Sequence, residues 1–176
     1  MTTASRDLEV SLAQRWGIVA GMDEVGRGAL AGPVAVGVAV IGIDAPPVPE
    51  GLTDSKALTA RRREALVEPV RSWTLASSVG YASPQEIDQW GIIAALRLAG
   101  RRALADVASG GLVPGGVLLD GSHNWLSTPD DLFGLVDGPE DPFGRELPVH
   151  MQVKADASCA VVAAASVLAK VARDHL

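Results

Sequence analysis

The sequence predicts one mixed α/β domain, and three observations support this prediction. Short apolar runs rich in Val and Ile alternate with longer stretches in which apolar residues recur at helical spacing. These segments follow one another in the order β, β, α, β, α, β, β, α, with no internal repeat. The 176 residues are 48% hydrophobic and 20% charged, which is enough for one packed core and excludes an intrinsically disordered chain.

The first predicted unit is a hairpin of two buried strands. Residues 17–22 form a short apolar run that ends at the adjacent carboxylates Asp23 and Glu24. A glycine-rich turn follows at residues 26–33, and residues 34–43 are rich in Val and Ile, which favours a second strand. Because neighbouring side chains of an extended strand point to opposite sides, the two acids can face one side only if a bulge or turn reorients one of them.

The middle of the chain predicts two helices with a strand between them. Either Thr53 or Asp54 caps the first helix, which ends near residue 70. Residues 73–81 are predicted to form the third strand. The second helix, over residues 83–108, begins with Ser-Pro-Gln-Glu, which is a typical capping signature.

The last third of the chain predicts two strands and a final helix. Residues 117–119 form a buried strand that ends at Asp120. The acidic, Pro- and Gly-rich residues 121–149 predict a long surface loop. Residues 147–153 are predicted to form the final strand, and the Ala-rich residues 157–176 the final helix.

Composition and charge exclude several classes of protein. The single cysteine, Cys159, excludes an internal disulfide and a Cys-rich metal site. The chain has no apolar run of about 18 residues and no signal-peptide pattern, so we expect a cytoplasmic protein without a membrane segment. The net charge is −6, but the acid is concentrated in residues 106–150, and residues 51–105 are net basic. A polyanionic substrate is therefore compatible with the charge distribution.

Four carboxylates are placed where a metal site can form. Asp23, Glu24 and Asp120 follow buried strands, and Asp156 precedes the last helix. Strand ends of α/β sheets are common places for sites, and clustered carboxylates are stabilised by a hard divalent cation. Oxygen ligands favour Mg²⁺ or Mn²⁺ over Zn²⁺. A simpler interpretation is open for each aspartate, and for Asp156 alone a helix cap is favoured.

Four stretches of the chain resemble motifs of the type 2 ribonucleases H, the bacterial ribonuclease HII family, and they occur in the family's order. The family's opening motif resembles Asp23-Glu24-Val25-Gly26-Arg27-Gly28 with Leu30-Ala31-Gly32-Pro33. Its later motifs resemble Asp54-Ser55-Lys56-Ala57-Leu58, then Asp120-Gly121, then Lys154-Ala155-Asp156 with the Ala-rich stretch that ends at Arg173-Asp174.

The resemblance implies a ribonuclease H-like fold, which is a mixed five-stranded sheet flanked by helices. It divides the chain into an N-terminal extension, residues 1–16, and a catalytic domain, residues 17–176. It also leads us to expect that the family's C-terminal helices are missing from this chain, because the family continues beyond the matched motifs.

The resemblance further implies an endonuclease that cuts the RNA strand of RNA–DNA hybrids and single ribonucleotides embedded in duplex DNA, leaving 3′-hydroxyl and 5′-phosphate ends. It assigns Asp23, Glu24, Asp120 and Asp156 to catalysis and metal binding, with Asp156 at the second metal or its surroundings. Two Mg²⁺ or Mn²⁺ ions roughly 4 Å apart would activate the attacking water and stabilise the leaving 3′-oxygen.

The resemblance also assigns substrate contacts. The backbone of Gly26, Arg27 and Gly28 would recognise the 2′-hydroxyl of RNA, and Arg27 and Lys56 would contact phosphates. The basic run Arg61–Arg63 has two open interpretations, a phosphate contact or a solvated helix face. A cation near the end of the last helix, such as Arg173, favours the helix dipole.

The expected partners are RNA–DNA hybrids and ribonucleotide-containing duplex DNA, in ribonucleotide excision repair, with the protein acting as a monomer. Two alternatives stay open at this point. The same fold hosts other two-metal nucleases, including integrase-like enzymes. The chain also has the features of a nucleic-acid-binding protein without catalytic activity.

Overall fold

One five-stranded sheet forms the centre of the computed structural model, which describes residues 4–29, 31–130 and 138–176. Its strands are β1 (Ile18–Val25), β2 (Val34–Gly42), β3 (Ala76–Ala82), β4 (Gly116–Asp120) and β5 (Val149–Gln152). They lie in the order β3-β2-β1-β4-β5. β1, β2 and β3 pair antiparallel, whereas β1, β4 and β5 pair parallel. The predicted mixed five-stranded sheet is confirmed.

Helices cover both faces of this sheet. They are α1 (Asp7–Trp16), the 3₁₀ turn η1 (Ser55–Ala57), α2 (Ala60–Trp73), α3 (Pro84–Trp90), α4 (Ile92–Ser109), α5 (Ala155–Ser158) and α6 (Ala160–Asp174). Side chains of α1, α2 and α6 pack in one core cluster, and those of α4 pack in a second cluster on the opposite face. Alternate residues of β1 enter the two clusters, as the pleat of a strand requires.

Helix α6 packs unusually close to the centre of the sheet because both surfaces consist of small residues. A Cβ atom at Gly21 of β1 would lie 2.6 Å from the backbone of Val161, and one at Gly37 of β2 would overlap the carbonyl oxygen of Ala165. Ala163, Ala164 and Ala165 are completely buried between helix and sheet. The Ala-rich sequence of α6 is therefore explained by this close approach.

The helix that the sequence analysis did not predict is α1. The segment contains many charged residues, so its apolar face was not recognised in the sequence. Leu12 and Ala13 on that face are buried. Glu9 is also buried and accepts a hydrogen bond from the backbone N–H of Val161, at the N-terminus of α6. Within the described residues, the N-terminal segment therefore packs onto the sheet, and the boundary at residue 17 stays a prediction.

Two predicted helix starts and ends are corrected by local capping. Asp54 caps the short η1 turn, and Thr59 caps α2, so one helix from residue 54 to 70 was wrong. The predicted helix over 83–108 has the expected capping box at Ser83, but Gly91 divides it into α3 and α4. Gly91 has a φ of 82°, a backbone conformation that side chains other than glycine rarely adopt.

The ends of the chain's elements also differ in smaller ways from the prediction. The predicted final helix is divided into α5 and α6 at Cys159, which is extended. β1 continues through the two acids to Val25, so they lie within the strand. Residues 121–130 and 138–148 contain no helix or strand, as predicted for the long loop. Leu30 and residues 131–137, which belong to a resembling motif and to that loop, lie outside the described residues.

The acidic loop is anchored to α4 by Arg101. This side chain is buried and pairs with Asp141 and Glu146. Arg101 also donates to the carbonyl oxygens of Leu126, at 3.3 Å, and Arg145, at 3.1 Å. Part of the loop's negative charge is thus neutralised against α4. No helix in the described ranges combines the length and apolar character needed to cross a membrane.

Candidate active site

Three aspartates from three elements meet at one edge of the sheet. One carboxylate oxygen from each of Asp23, Asp120 and Asp156 lies within 4.8 Å of one from each of the others. β1 and β4 are parallel neighbours whose paired residues include Met22 and Leu119, so the next residue on each strand is an aspartate. The register of the sheet therefore fixes the first two members of the cluster.

Asp156 is brought to the same edge by the turn after β5. Asp120 and Gln152 are paired between β4 and β5. Lys154 follows with a φ of 57°, in the left-handed region, and the backbone N–H groups of the next two residues then point to Asp120. Asp120 Oδ1 accepts a hydrogen bond from the N–H of Ala155 at 2.6 Å and one from the N–H of Asp156 at 3.4 Å. Asp120 thus orients the segment that carries the third aspartate.

The electrostatics of Asp23 are those of a buried, crowded carboxylate. Its side chain is 5% exposed. Burial, with a smaller contribution from the charges of Asp120, Glu24 and Asp156, raises the pKa of Asp23 to about 8, although the hydroxyl of Ser166 opposes the shift. Without a cation, the ionised cluster is unfavourable.

The pKa of Asp156 is also raised, but this carboxylate has a cationic partner in Lys56. Burial and the charge of Asp120 raise its pKa, and Lys56 opposes this. The Lys56 ammonium lies 3.4 Å from Asp156 Oδ2, although the lysine side chain is 77% exposed. Burial lowers the pKa of Lys56, but the charges of Asp156 and Asp23 outweigh this and leave it raised. Lys56 is therefore a charged, solvent-accessible group that lies beside the acids.

Glu24 is not a member of this group of three, although the charge of Asp120 acts on it. No bulge reorients it, because Asp23, Glu24 and Val25 pair in regular register with β2. Its backbone N–H donates to Asp23 Oδ1 at 2.9 Å, and its own Oε1 lies 3.9 Å from Arg27 Nη1. Burial raises the pKa of Glu24. Its assignment as a metal ligand stays a prediction.

The glycine-rich turn begins directly after β1. Gly26 has a φ of 97°, and a Cβ atom at Gly28 would meet no atom within 4 Å. Backbone atoms at Gly28 are thus accessible to a ligand. The turn follows the strand that supplies Asp23, so its predicted substrate contacts and the acids are close along the chain.

The basic run on α2 is divided between two roles. Arg63 donates to the carbonyl oxygens of Ser55, at 2.9 Å, and Leu58, at 2.7 Å, and its guanidinium lies 3.6 Å from Asp174 Oδ2. It therefore holds the η1 segment that carries Lys56. Arg61 and Arg62 are exposed, and both interpretations of them stay open.

Two buried serines lie beside the acids and were not predicted as part of the site. The hydroxyl oxygens of Ser55 and Ser166 lie 2.8 Å apart, and both residues are buried. They join η1 to α6, next to Asp23. A serine inside the Ala-rich run of α6 was the available signal, because a buried hydroxyl needs a partner.

Comparison with known proteins agrees with this architecture. The family model described as Ribonuclease HII matches residues 20–176. Ribonuclease HII of Streptomyces griseus subsp. griseus is 48% identical over 174 residues, and that of Streptomyces avermitilis is 44% identical. Each alignment covers 99% of this chain and 64% of the relative, so the chain spans less than two thirds of the length of these relatives.

A solved structure agrees as well. The ribonuclease H2 of Pyrococcus horikoshii has a TM-score of 0.56 and 27% sequence identity, and the match covers 90% of this chain and 72% of that one. The fold, the order of the motifs and the family model agree over nearly all of the sequence. The chain therefore belongs to the ribonuclease HII family.

Proposed function

We propose that this chain is an endonuclease that hydrolyses the RNA strand of RNA–DNA hybrids and cuts at single ribonucleotides embedded in duplex DNA, leaving 3′-hydroxyl and 5′-phosphate ends. The observation that carries this proposal is the convergence of Asp23, Asp120 and Asp156 at one sheet edge. Membership of the ribonuclease HII family supports the substrate class.

The donor set at this edge fits a hard divalent cation. All three converging groups are carboxylates, and hard oxygen donors are what Mg²⁺ and Mn²⁺ prefer. Their crowding and burial provide the reason to bind a cation, since positive charge relieves the repulsion. We propose that Asp23, Asp120 and Asp156, with Glu24, hold two such ions. When bound, the metal supplies an activated water and charge stabilisation at the phosphate and the leaving 3′-oxygen.

The residues around the acids are proposed to bind and orient the substrate. Lys56 combines an exposed side chain with an ammonium beside Asp156, so it can contact a backbone phosphate next to the acids. Arg27 is proposed for a second phosphate contact and is half-exposed. The backbone of Gly26, Arg27 and Gly28, which is open to a ligand at Gly28, is proposed to recognise the 2′-hydroxyl, which distinguishes RNA from DNA.

The test is cleavage of three duplexes that differ only in their sugars: one with a single ribonucleotide, one RNA–DNA hybrid and one of DNA alone. Each is incubated with and without Mn²⁺. We expect metal-dependent cleavage of the first two and loss of it in Asp120→Asn. Asp44→Asn is the matched control, because Asp44 is an exposed aspartate after β2.

Each alternative gives a different result in this assay. Cleavage of the all-DNA duplex would replace the proposal with another two-metal nuclease. Binding of ribonucleotide-containing duplexes without cleavage would identify a nucleic-acid-binding protein.

We further propose a monomeric protein of the cytoplasm that acts in ribonucleotide repair. Sedimentation at micromolar concentration tests the monomer.

A further inference from the structure

Arg173, near the C-terminal end of α6, reaches the glycine-rich turn between β1 and β2. Its Nε donates to the carbonyl oxygen of Pro33 at 3.0 Å, and its Nη2 donates to that of Ala31 at 3.4 Å. These contacts join residues about 140 positions apart in the chain. The sequence predicts that a cation at this helix end favours the helix dipole, and the structure shows that this guanidinium also binds two carbonyl groups of the turn.

The turn is shaped to receive this side chain. A Cβ atom at Gly26 would lie 2.5 Å from Arg173 Nε, and one at Gly32 would lie 3.4 Å from its Nη2. Both glycines have a φ of 97°. The guanidinium thus lies directly against the Gly26 backbone, in space that any other residue at position 26 would fill.

Arg173 also places the turn and the acids on one rigid support. It belongs to α6, the helix that packs tightly on β1 and β2 and carries Ser166 beside Asp23. A turn fixed to this helix keeps its position relative to the carboxylates. A guanidinium bonded to two carbonyl oxygens makes charge-assisted hydrogen bonds, which are stronger than neutral ones.

We propose that Arg173 is a positioning residue that fixes the glycine-rich turn and thereby sets the selectivity for a ribonucleotide over a deoxyribonucleotide. The selectivity part rests on the proposed function, whereas the positioning part does not. Arg173 acts through the turn and needs no contact with substrate.

Hydrogen–deuterium exchange of the intact chain tests the positioning part. In Arg173→Gln we expect the amides of residues 26–29, 31 and 32 to exchange about tenfold faster, as the loss of charge-assisted hydrogen bonds predicts. The amides of β4 should exchange at unchanged rates. Arg15→Gln is the matched control, because Arg15 is exposed on α1. Unchanged exchange of the turn in Arg173→Gln would overturn the proposal.

A double-mutant cycle identifies the contact itself. Gly26→Ala and Arg173→Ala should affect turn exchange less than additively, because the first change already displaces the guanidinium. Gly28→Ala should be additive with Arg173→Ala, since a Cβ there meets no atom within 4 Å. Additive behaviour of both pairs would contradict direct contact between Gly26 and Arg173.

Binding measures the selectivity part. In an Asp120→Asn background that prevents cleavage, we compare the Kd for a duplex with one ribonucleotide and for the same duplex in DNA. Arg173→Gln should reduce the preference for the ribonucleotide, given by the Kd of the DNA duplex divided by that of the ribonucleotide duplex, about tenfold. Arg173→Lys, which keeps a charged donor group, should restore part of it. A merely structural role would weaken both affinities equally and leave the ratio unchanged.

The two proposals fail in distinguishable ways. If the chain with Arg173 shows no preference for the ribonucleotide, the proposed function is wrong, and the exchange experiment still decides whether Arg173 positions the turn. If the preference is present and survives Arg173→Gln although the turn exchanges faster, the selectivity part alone is overturned.

Discussion

Asp23 is a buried carboxylate that the described structure surrounds with other acids. It is buried beside Asp120 and Asp156, so its charged form is disfavoured and its pKa is raised. Replacing such a group often stabilises a protein at the expense of function. The buried carboxylate is thus a feature that packing alone does not explain.

We expect Asp23→Asn to raise the free energy of unfolding of the metal-free protein by about 1 to 2 kcal/mol and to abolish cleavage. The pKa of Asp23 is raised from 3.8 to about 8, so between these values the folded state binds more protons than the unfolded state. Stability of the wild type therefore falls as pH rises through this window. Urea unfolding at pH 5 and pH 9, with EDTA, measures both effects.

Asp44→Asn is the control for this substitution, because it removes the charge of an exposed aspartate. It should change neither the stability nor its pH dependence. A less stable Asp23→Asn protein at pH 9 would show that the carboxylate is compensated within the fold, contrary to this prediction.

At the scale of elements, α1 and α6 are joined by a cap that comes from another part of the chain. Glu9 of α1 accepts from the N–H of Val161, near the positive end of the α6 dipole. The N-cap residue Cys159 makes no side-chain cap of its own. The helix that supports the candidate site is therefore capped by a long-range contact.

This cap gives a pH-dependent prediction for Glu9→Gln. Burial raises the pKa of Glu9 from 4.5 to about 7, although the hydrogen bond from Val161 and the charge of Arg6 oppose the shift. The contribution of Glu9 to stability is complete below pH 4.5 and is lost as pH rises to 7. Glutamine does not titrate, so the free energy of unfolding of Glu9→Gln should not show this fall. Its difference from the wild-type value should therefore increase in favour of Glu9→Gln as pH rises from 4.5 to 7.

Chemical unfolding at intervals across that range measures the difference, and Glu50→Gln, at an exposed position, is the control. The titration of Asp23 is common to both proteins and cancels. Parallel stability curves for wild type and Glu9→Gln would contradict the raised pKa.

The contact between α6 and the sheet is the second feature at this scale. We expect Gly37→Ala to lower the free energy of unfolding by about 1 to 3 kcal/mol, because the added methyl group overlaps the Ala165 carbonyl oxygen. Gly42→Ala on the same strand is the matched control, since its Cβ would approach only Leu75, at 3.7 Å. Thermal unfolding compares the two, and equal midpoints would refute the close packing.

At the scale of the whole molecule, the candidate site links β1, β4 and α5, so a bound cation should stabilise the entire fold. At a hundredfold excess over its Kd, Mn²⁺ should add about 2.7 kcal/mol to the free energy of unfolding. The midpoint of thermal unfolding should rise with Mn²⁺ in wild type and in Asp44→Asn, and much less in Asp120→Asn. An equal rise in all three proteins would place the cation elsewhere.

The strands and the order of the acids were predictable because they depend on local patterns. Runs of Val and Ile mark buried strands, and the capping box at Ser83 satisfies its own backbone. The sequence placed Asp23 and Asp120 at the ends of two buried strands, and the structure showed that these strands are neighbours. The breaks at Gly91 and Cys159 were missed because helical periodicity continues across them.

The amino-acid sequence alone determined the sheet, its family and the carboxylates that we propose for metal binding, because these follow from local periodicity and from motifs that lie along the chain. Tertiary structure decided which atoms meet: the oxygens of the three aspartates, the hydroxyls of Ser55 and Ser166, and Arg173 with the turn. Such contacts join distant segments, and only the packing of α6 on the sheet sets their distances.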